Sequence, residues 1–147
     1  MPTSQHYSSD PHHIRHYEFP YARFHGKSYP LIPIKLKRGR YSVKTIALLD
    51  SGASISVFRP EIAKALHLPH NGSQPVRLGT PSGAVDIGVS QIEVSVENTT
   101  FKAQIGFSRE YAARFNILGR ESFFPRFSIC FNEMMRTVYM LPLKNLR

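Results

Sequence analysis

Ala47-Leu48-Leu49-Asp50-Ser51-Gly52-Ala53-Ser54 is the stretch from which the rest of the chain can be read. An apolar run delivers one carboxylate, followed at once by a hydroxyl, a glycine and two small residues. The run reads as the end of a buried strand. Asp50 then sits at the strand's mouth, where desolvation and neighbouring groups tune a carboxyl pKa. Gly52 frees the backbone for a tight turn, so that main-chain N–H groups can point back at the carboxylate. Ser51 supplies a donor and two acceptor sites beside it, and small Ala53 and Ser54 leave room for another group to approach.

Outward from this loop the chain alternates. Upstream, Tyr17 to Phe24 alternates aromatic and polar residues around Pro20, which suits an edge strand. Ile32, Ile34 and Leu36 alternate with Pro33, Lys35 and Lys37. Lys37-Arg38-Gly39-Arg40 turns the chain, and Tyr41 to Leu49 returns it to the loop. Downstream, Ile55 to Phe58 is a short strand. Pro60 opens a helix with Ile62, Ala63 and Leu66 on its apolar face, and Pro69 ends it. Val76-Arg77-Leu78 and Ala84-Val85-Asp86-Ile87 flank the tip Gly79-Thr80-Pro81-Ser82-Gly83, the pattern of a hairpin. Ile92, Val94 and Val96 pair with Phe101, Ala103, Ile105 and Phe107 across an Asn98-Thr99 turn. Ser108 caps a short helical turn through Phe115, and Glu121 to Phe124 makes another before Pro125. Phe127, Ile129 and Phe131 lead through an Asn132–Arg136 turn into Val138 and Met140. About eight short strands and only brief helices predict an all-β domain, closed or sandwich-like.

The totals narrow the function. A length of 147 residues suits one domain, and 41% hydrophobic residues fill a modest core. No apolar run reaches the ~20 residues of a membrane span, and the N-terminus lacks a signal peptide's apolar segment. One cysteine, Cys130, excludes an internal disulfide and a multi-cysteine zinc site, so the default location is cytoplasmic. The formal charge of +9 admits an anionic partner. The basic residues are scattered along the chain, however, and no nucleic-acid motif is present. The cluster Lys35, Lys37, Arg38, Arg40 and Lys44 therefore reads as a solvated hairpin turn, with no nucleic-acid partner expected. Residues 1–16 read as a disordered polar arm. Their His12 and His16 lack the carboxylate neighbours and unbroken helix of a metal site.

The loop resembles that of the aspartic proteases, in which Asp-Ser/Thr-Gly-Ala/Ser follows two or three apolar residues. Asn116-Ile117-Leu118-Gly119-Arg120 resembles the apolar-apolar-Gly-Arg segment of the retropepsins, the single-domain branch that includes the retroviral proteases. The two motifs stand about seventy residues apart, and the resemblance covers residues 17–143, leaving 144–147 as a C-terminal tail. It implies a single-domain, closed β-barrel with short helices. It also implies a mobile flap at Leu78, Gly79, Thr80, Pro81, Ser82 and Gly83, and no metal or other cofactor. Asp50 would be catalytic, supported by Ser51, Gly52 and Ala53. Ser51 would hydrogen-bond across a dimer axis, and the Gly52 N–H would donate to the carboxylate. Ile117, Leu118 and Gly119 would pack behind the loop.

Aspartic protease chemistry needs two carboxyls about 3 Å apart that share a proton. The chain has three aspartates, Asp10, Asp50 and Asp86, and only Asp50 has the catalytic context. A two-fold homodimer would supply the second carboxylate, with a peptide or protein as substrate. Two departures stand out. Many retroviral members carry an acid shortly after the catalytic glycine that pairs with the second motif's arginine. Ser54 stands there in this chain, so Arg120 needs Glu121, Glu61 or a carbonyl instead. The flap tip, with Pro81 between Gly79 and Gly83, is stiffer than the family's. A serine hydrolase lacks its Gly-x-Ser-x-Gly elbow here, and Cys130 falls on the solvent side or edge of a strand. The remaining alternative is a silent dimer of this fold that holds an extended peptide, or nucleic acid on its basic face. The intact loop argues for an enzyme.

Overall fold

The computed structural model describes residues 16–69, 74–108, 110–111 and 113–144. The elements in order are β1 Tyr17–Pro20, β2 Ala22–Phe24, β3 Lys27–Tyr29, β4 Leu31–Arg38, β5 Tyr41–Leu49, β6 Ser56–Phe58, α1 Pro60–Ala65, β7 Gln74–Thr80, β8 Gly83–Val96, β9 Thr99–Phe107, β10 Asn116–Leu118, a 3-10 helix Phe124–Arg126, β11 Phe127–Asn132 and β12 Thr137–Pro142. No helix among them is long and apolar enough to cross a membrane. Except for His16, the arm read over residues 1–16 lies outside the described residues, as do Asp10, His70 and the tail beyond Lys144.

Most strands follow from side-chain alternation. Ile34 and Leu36 are buried while Pro33, Lys35 and Lys37 are exposed, as a period of two requires. The main sheet runs β4-β5-β10-β6-β9-β8-β7, and β8 pairs back to β4 through Lys35↔Ser95 and Lys37↔Glu93. Six strands thus form a ring, which removes their open edges. Its interior holds Ile32, Leu36, Phe58, Ile92, Ile105 and Leu118, all essentially fully buried. A second sheet, β1-β12-β11, packs Phe19, Val138 and Met140 onto the same core.

The fold is all-β, as expected, with more and differently divided strands than the alternation gave. Twelve strands lie among the described residues rather than eight. The segment Tyr17 to Phe24 divides after Pro20 because its halves have different partners: Tyr17–Pro20 pairs with β12, a ladder that the Tyr21 N–H extends to the Arg136 carbonyl at 2.7 Å, and Ala22–Phe24 pairs with Lys27–Tyr29. The segments around Ile87 and Ile92 are one strand, β8. Its first half pairs with β7 and its second with β9, so pairing continues without a break where the hydrophobic pattern changes. Helix α1 opens at Pro60 as read but stops at Ala65, short of Pro69. His67 takes a left-handed φ of 53°, and the Leu68 N–H closes on the Ala63 carbonyl at 3.0 Å. Pro125 lies within the 3-10 helix rather than after a helical turn, because a first-turn proline sacrifices no hydrogen bond. No helix forms among the described residues between Ser108 and Phe115, although the Ser108 hydroxyl accepts the Glu110 N–H at 3.1 Å as a cap would.

Candidate active site

Asp50 follows directly from β5, and the ring fixes where it points. β10 lies parallel to β5 with Leu118 opposite Leu49, and antiparallel to β6 with Ile117 opposite Val57. The strand before the loop and the strand after it are therefore both pinned by β10. The Asp50 N–H donates to the Leu118 carbonyl at 3.0 Å, extending that ladder by one residue. The turn then tightens, with the Ala53 N–H donating to the Asp50 carbonyl at 3.2 Å. The Gly52 N–H donates to Asp50 Oδ1 at 2.9 Å. A donor aimed at a carboxylate oxygen holds its orientation.

The second motif does in space what its apolar character suggests. Leu118 is fully buried, Ile117 half-buried, and Gly119 buried against the loop. The Gly119 N–H donates to the buried Ser56 hydroxyl at 3.0 Å. The next two N–H groups continue the zipper: Arg120 to the Ala53 carbonyl at 2.9 Å and Glu121 to the Ser54 carbonyl at 2.8 Å. A Cβ on Gly119 would meet the Ile55 carbonyl carbon at 2.5 Å and Ala53 O at 3.0 Å. Only glycine allows this approach. The Arg120 side chain is exposed, and none of the expected carboxylates holds it. Glu61 pairs instead with Arg59 at 3.4 Å. Exposure removes the desolvation cost that a buried, unpaired Arg120 would carry.

The expected hairpin is present. β7 and β8 pair from Gln74↔Val89 to Thr80↔Gly83. Gly83 takes φ +133°, and the Thr80 hydroxyl donates to its carbonyl at 2.9 Å. Alternation sorts the two faces. Val76, Leu78, Val85 and Ile87 share one; Arg77 and Asp86 lie on the other, paired at 3.6 Å. Asp86 is thus committed to the hairpin's outer side. Leu78 and Val85 are half-buried, while Gly79, Pro81, Ser82 and Gly83 are exposed at the tip. Ser51 is exposed beside Asp50, and Ala53 is half-buried.

Two residues at the site were not singled out in the sequence. Asn116 is buried and ties β10 to β5 and to the start of α1: its Oδ1 accepts the Arg59 N–H at 2.9 Å, and its Nδ2 donates to the Ile46 carbonyl at 3.1 Å and Thr45 Oγ1 at 3.2 Å. Its place at the head of the Ile117-Leu118-Gly119 motif was the available signal. Tyr111 had none. Burial first, and then the negative charge of Asp50, push its phenol up to about 12 against the opposing pull of Arg59. Its hydroxyl donates to the Phe115 carbonyl at 3.2 Å. The segment before β10 thereby brings an aromatic side chain into the field of the carboxylate.

The sequence matches the aspartyl protease family over residues 33–121, more than half of the chain. No protein of curated function matches it. Among solved structures, the EIAV protease complexed with the inhibitor HBY-793 is similar, with a TM-score of 0.53 over 67% of this chain and 88% of that one. At 18% identity that likeness is one of fold.

Proposed function

The chain belongs to the aspartyl protease family, and on that premise we propose that it is an aspartic endopeptidase working as a homodimer, with residues 17–143 as the protease domain. The observation that carries this reading is the single Asp50 loop, with the Gly52 N–H on its carboxylate at 2.9 Å and β10 braced behind it. One loop is half of a two-carboxylate site, and a two-fold axis completes it with the same loop of a second copy. One Asp50 carboxylate, ionised, takes a proton from water as that water attacks the peptide carbonyl. The other, neutral, gives its proton to the carbonyl oxygen. Collapse of the tetrahedral intermediate breaks the C–N bond as the amine takes the proton gained from water, while a hydroxyl of the intermediate returns its proton to the other carboxylate, so that the pair again shares one proton.

The remaining residues take supporting roles. Ser51, exposed beside Asp50, is assigned the bond across the axis. Ile117, Leu118, Gly119 and Arg120 hold the loop from behind. The tip from Leu78 to Gly83 covers an extended peptide, and the apolar hairpin face of Val76, Leu78 and Val85 favours apolar side chains flanking the cut. A single cysteine suits a reducing, cytoplasmic setting.

The test is a mixing experiment on a peptide library. Asp50→Asn abolishes cleavage, and excess Asp50→Asn subunits suppress wild-type activity as mixed dimers form. The rate per subunit of wild type falls on dilution. A rate per subunit independent of concentration, in particles that remain monomeric, would overturn the dimer. Cleavage that survives Asp50→Asn would overturn the catalytic assignment.

A further inference from the structure

The ring gathers on one outer face lysines that the chain keeps apart. Lys44 lies opposite Lys35, Lys35 opposite Ser95, and Ser95 opposite Thr100. Two residues along, Ser42 lies opposite Lys37, Lys37 opposite Glu93, and Glu93 opposite Lys102. Gln91 and Gln104 form the next pair. Side chains directly paired or two apart share a face, and Lys35, Lys37, Lys44 and Lys102 are all exposed. At the end of this face, by the β4–β5 turn, opens a groove of about 360 Å³ lined by Lys37, Arg38, Gly39, Gln91, Glu93 and Lys102; the Arg38 guanidinium itself turns to the opposite side and donates to the Leu66 and His67 carbonyls.

Like charges directly opposite on paired strands cost stability. Lys35 and Lys44 bear that cost in a row that contains only hydroxyls besides. The single carboxylate in these rows, Glu93, is placed between Lys37 and Lys102. An anionic ligand turns the repulsion into attraction. The face is also remote from the candidate active site: Lys44 precedes Asp50 by six residues of extended chain, about 20 Å. A peptide bound across Asp50 is therefore not its natural occupant.

The chemistry of the rows selects the partner. Serine, threonine and glutamine surround the lysines, with no aromatic or aliphatic side chain in the three rows. That is poor ground for a folded protein, whose interfaces need an apolar centre. It is good ground for phosphate and sugar oxygens, which take most protein–nucleic acid hydrogen bonds. The rows repeat about 7 Å apart, so a polymer with regularly spaced charges can engage them together. We infer that this face binds nucleic acid through its phosphate backbone, without reading bases.

The test is fluorescence anisotropy with a labelled single-stranded oligonucleotide, alongside a poly-glutamate peptide of equal charge as competitor. Neutralising about four phosphates gives a slope of log K against log salt near −3, or about a 50-fold loss of affinity between 50 and 200 mM salt. Lys35→Ser with Lys44→Ser should lower affinity about tenfold at low salt and halve the slope. Lys27→Ser with Lys64→Ser removes the same net charge elsewhere and should change affinity less than threefold. Both pairs are surface changes, and their thermal midpoints verify folding. Equal losses in the two double variants, no salt-dependent binding, or tighter binding of poly-glutamate would each overturn the inference.

Discussion

Replacing Gly119 with alanine should disable the loop that carries Asp50 by a steric route alone. Gly119 does not occupy the left-handed region, so an alanine meets no backbone strain there. It meets main chain: the new methyl would lie 2.5 Å from the Ile55 carbonyl carbon and 3.0 Å from Ala53 O. These distances are up to about 1 Å short of the ~3.5 Å optimum. Neither neighbour can rotate aside. Residues 53 and 54 are held by the Arg120 and Glu121 N–H groups, and Gly119 itself by Ser56. Relief requires the loop to move by about 1 Å, stretching those bonds. The cost should reach about 3 kcal/mol, the upper part of the range for overpacking. For a domain of this size that lowers the thermal midpoint by about 10 °C. Peptidase activity should fall about 100-fold, since a displacement of that size misplaces a reacting group.

Gly52→Ala is the matched comparison. There the methyl meets Asp50 Oδ1 at 3.2 Å, a side-chain atom able to turn, and the stability cost should stay below about 1 kcal/mol. Urea unfolding of the two variants beside wild type reads both numbers. If Gly119→Ala unfolds within about 1 kcal/mol of wild type, or Gly52→Ala is the more damaging, the close-approach argument fails.

Ser56→Ala strips the acceptor from the buried Gly119 N–H and should cost about 1–3 kcal/mol; unchanged urea unfolding would show that the bond is dispensable. Asn116→Ala removes three hydrogen bonds joining β5, β10 and the start of α1. It should cost about 2–3 kcal/mol, with a loss under 1 kcal/mol counting against it. Tyr111, raised from 10.0 to about 12, keeps its proton in the folded state after the unfolded chain has lost it. Its contribution to stability is therefore complete below about pH 10 and is lost as pH rises toward 12. The stability difference between wild type and Tyr111→Phe should fall across that window, and a flat difference would refute it. Because Asp50 contributes to the upward shift, Asp50→Asn should lower the Tyr111 pKa. Tyrosinate absorbance in a Tyr21→Phe background, which removes a second phenol raised to about 12, reads this directly.

Local pattern was enough to locate the Asp50 loop and the segment behind it. Asp50, Gly52 and the Leu118-Gly119 pair are legible because their chemistry is short-range: an apolar strand end, a carboxylate, a residue without a side chain. The hairpin around Thr80–Gly83 is equally local, since its turn residues and alternating flanks are neighbours in sequence. The division of strands was less legible. Hydrophobic alternation reports which face is buried and is silent on which partner supplies the hydrogen bonds. One strand, β8, was therefore read as two.

The sequence by itself determined that Asp50 stands at the end of a buried strand and before a glycine turn, and that a glycine-bearing segment about seventy residues later resembles its companion motif. Only the tertiary structure decided how the two meet, through β10 inserted between β5 and β6 with backbone N–H groups zipped to the loop's carbonyls. It also decided that Tyr111 lies within the field of Asp50, and that lysines from β4, β5 and β9 converge on one face. Such pairings depend on ring closure, which brings together residues that no local period relates.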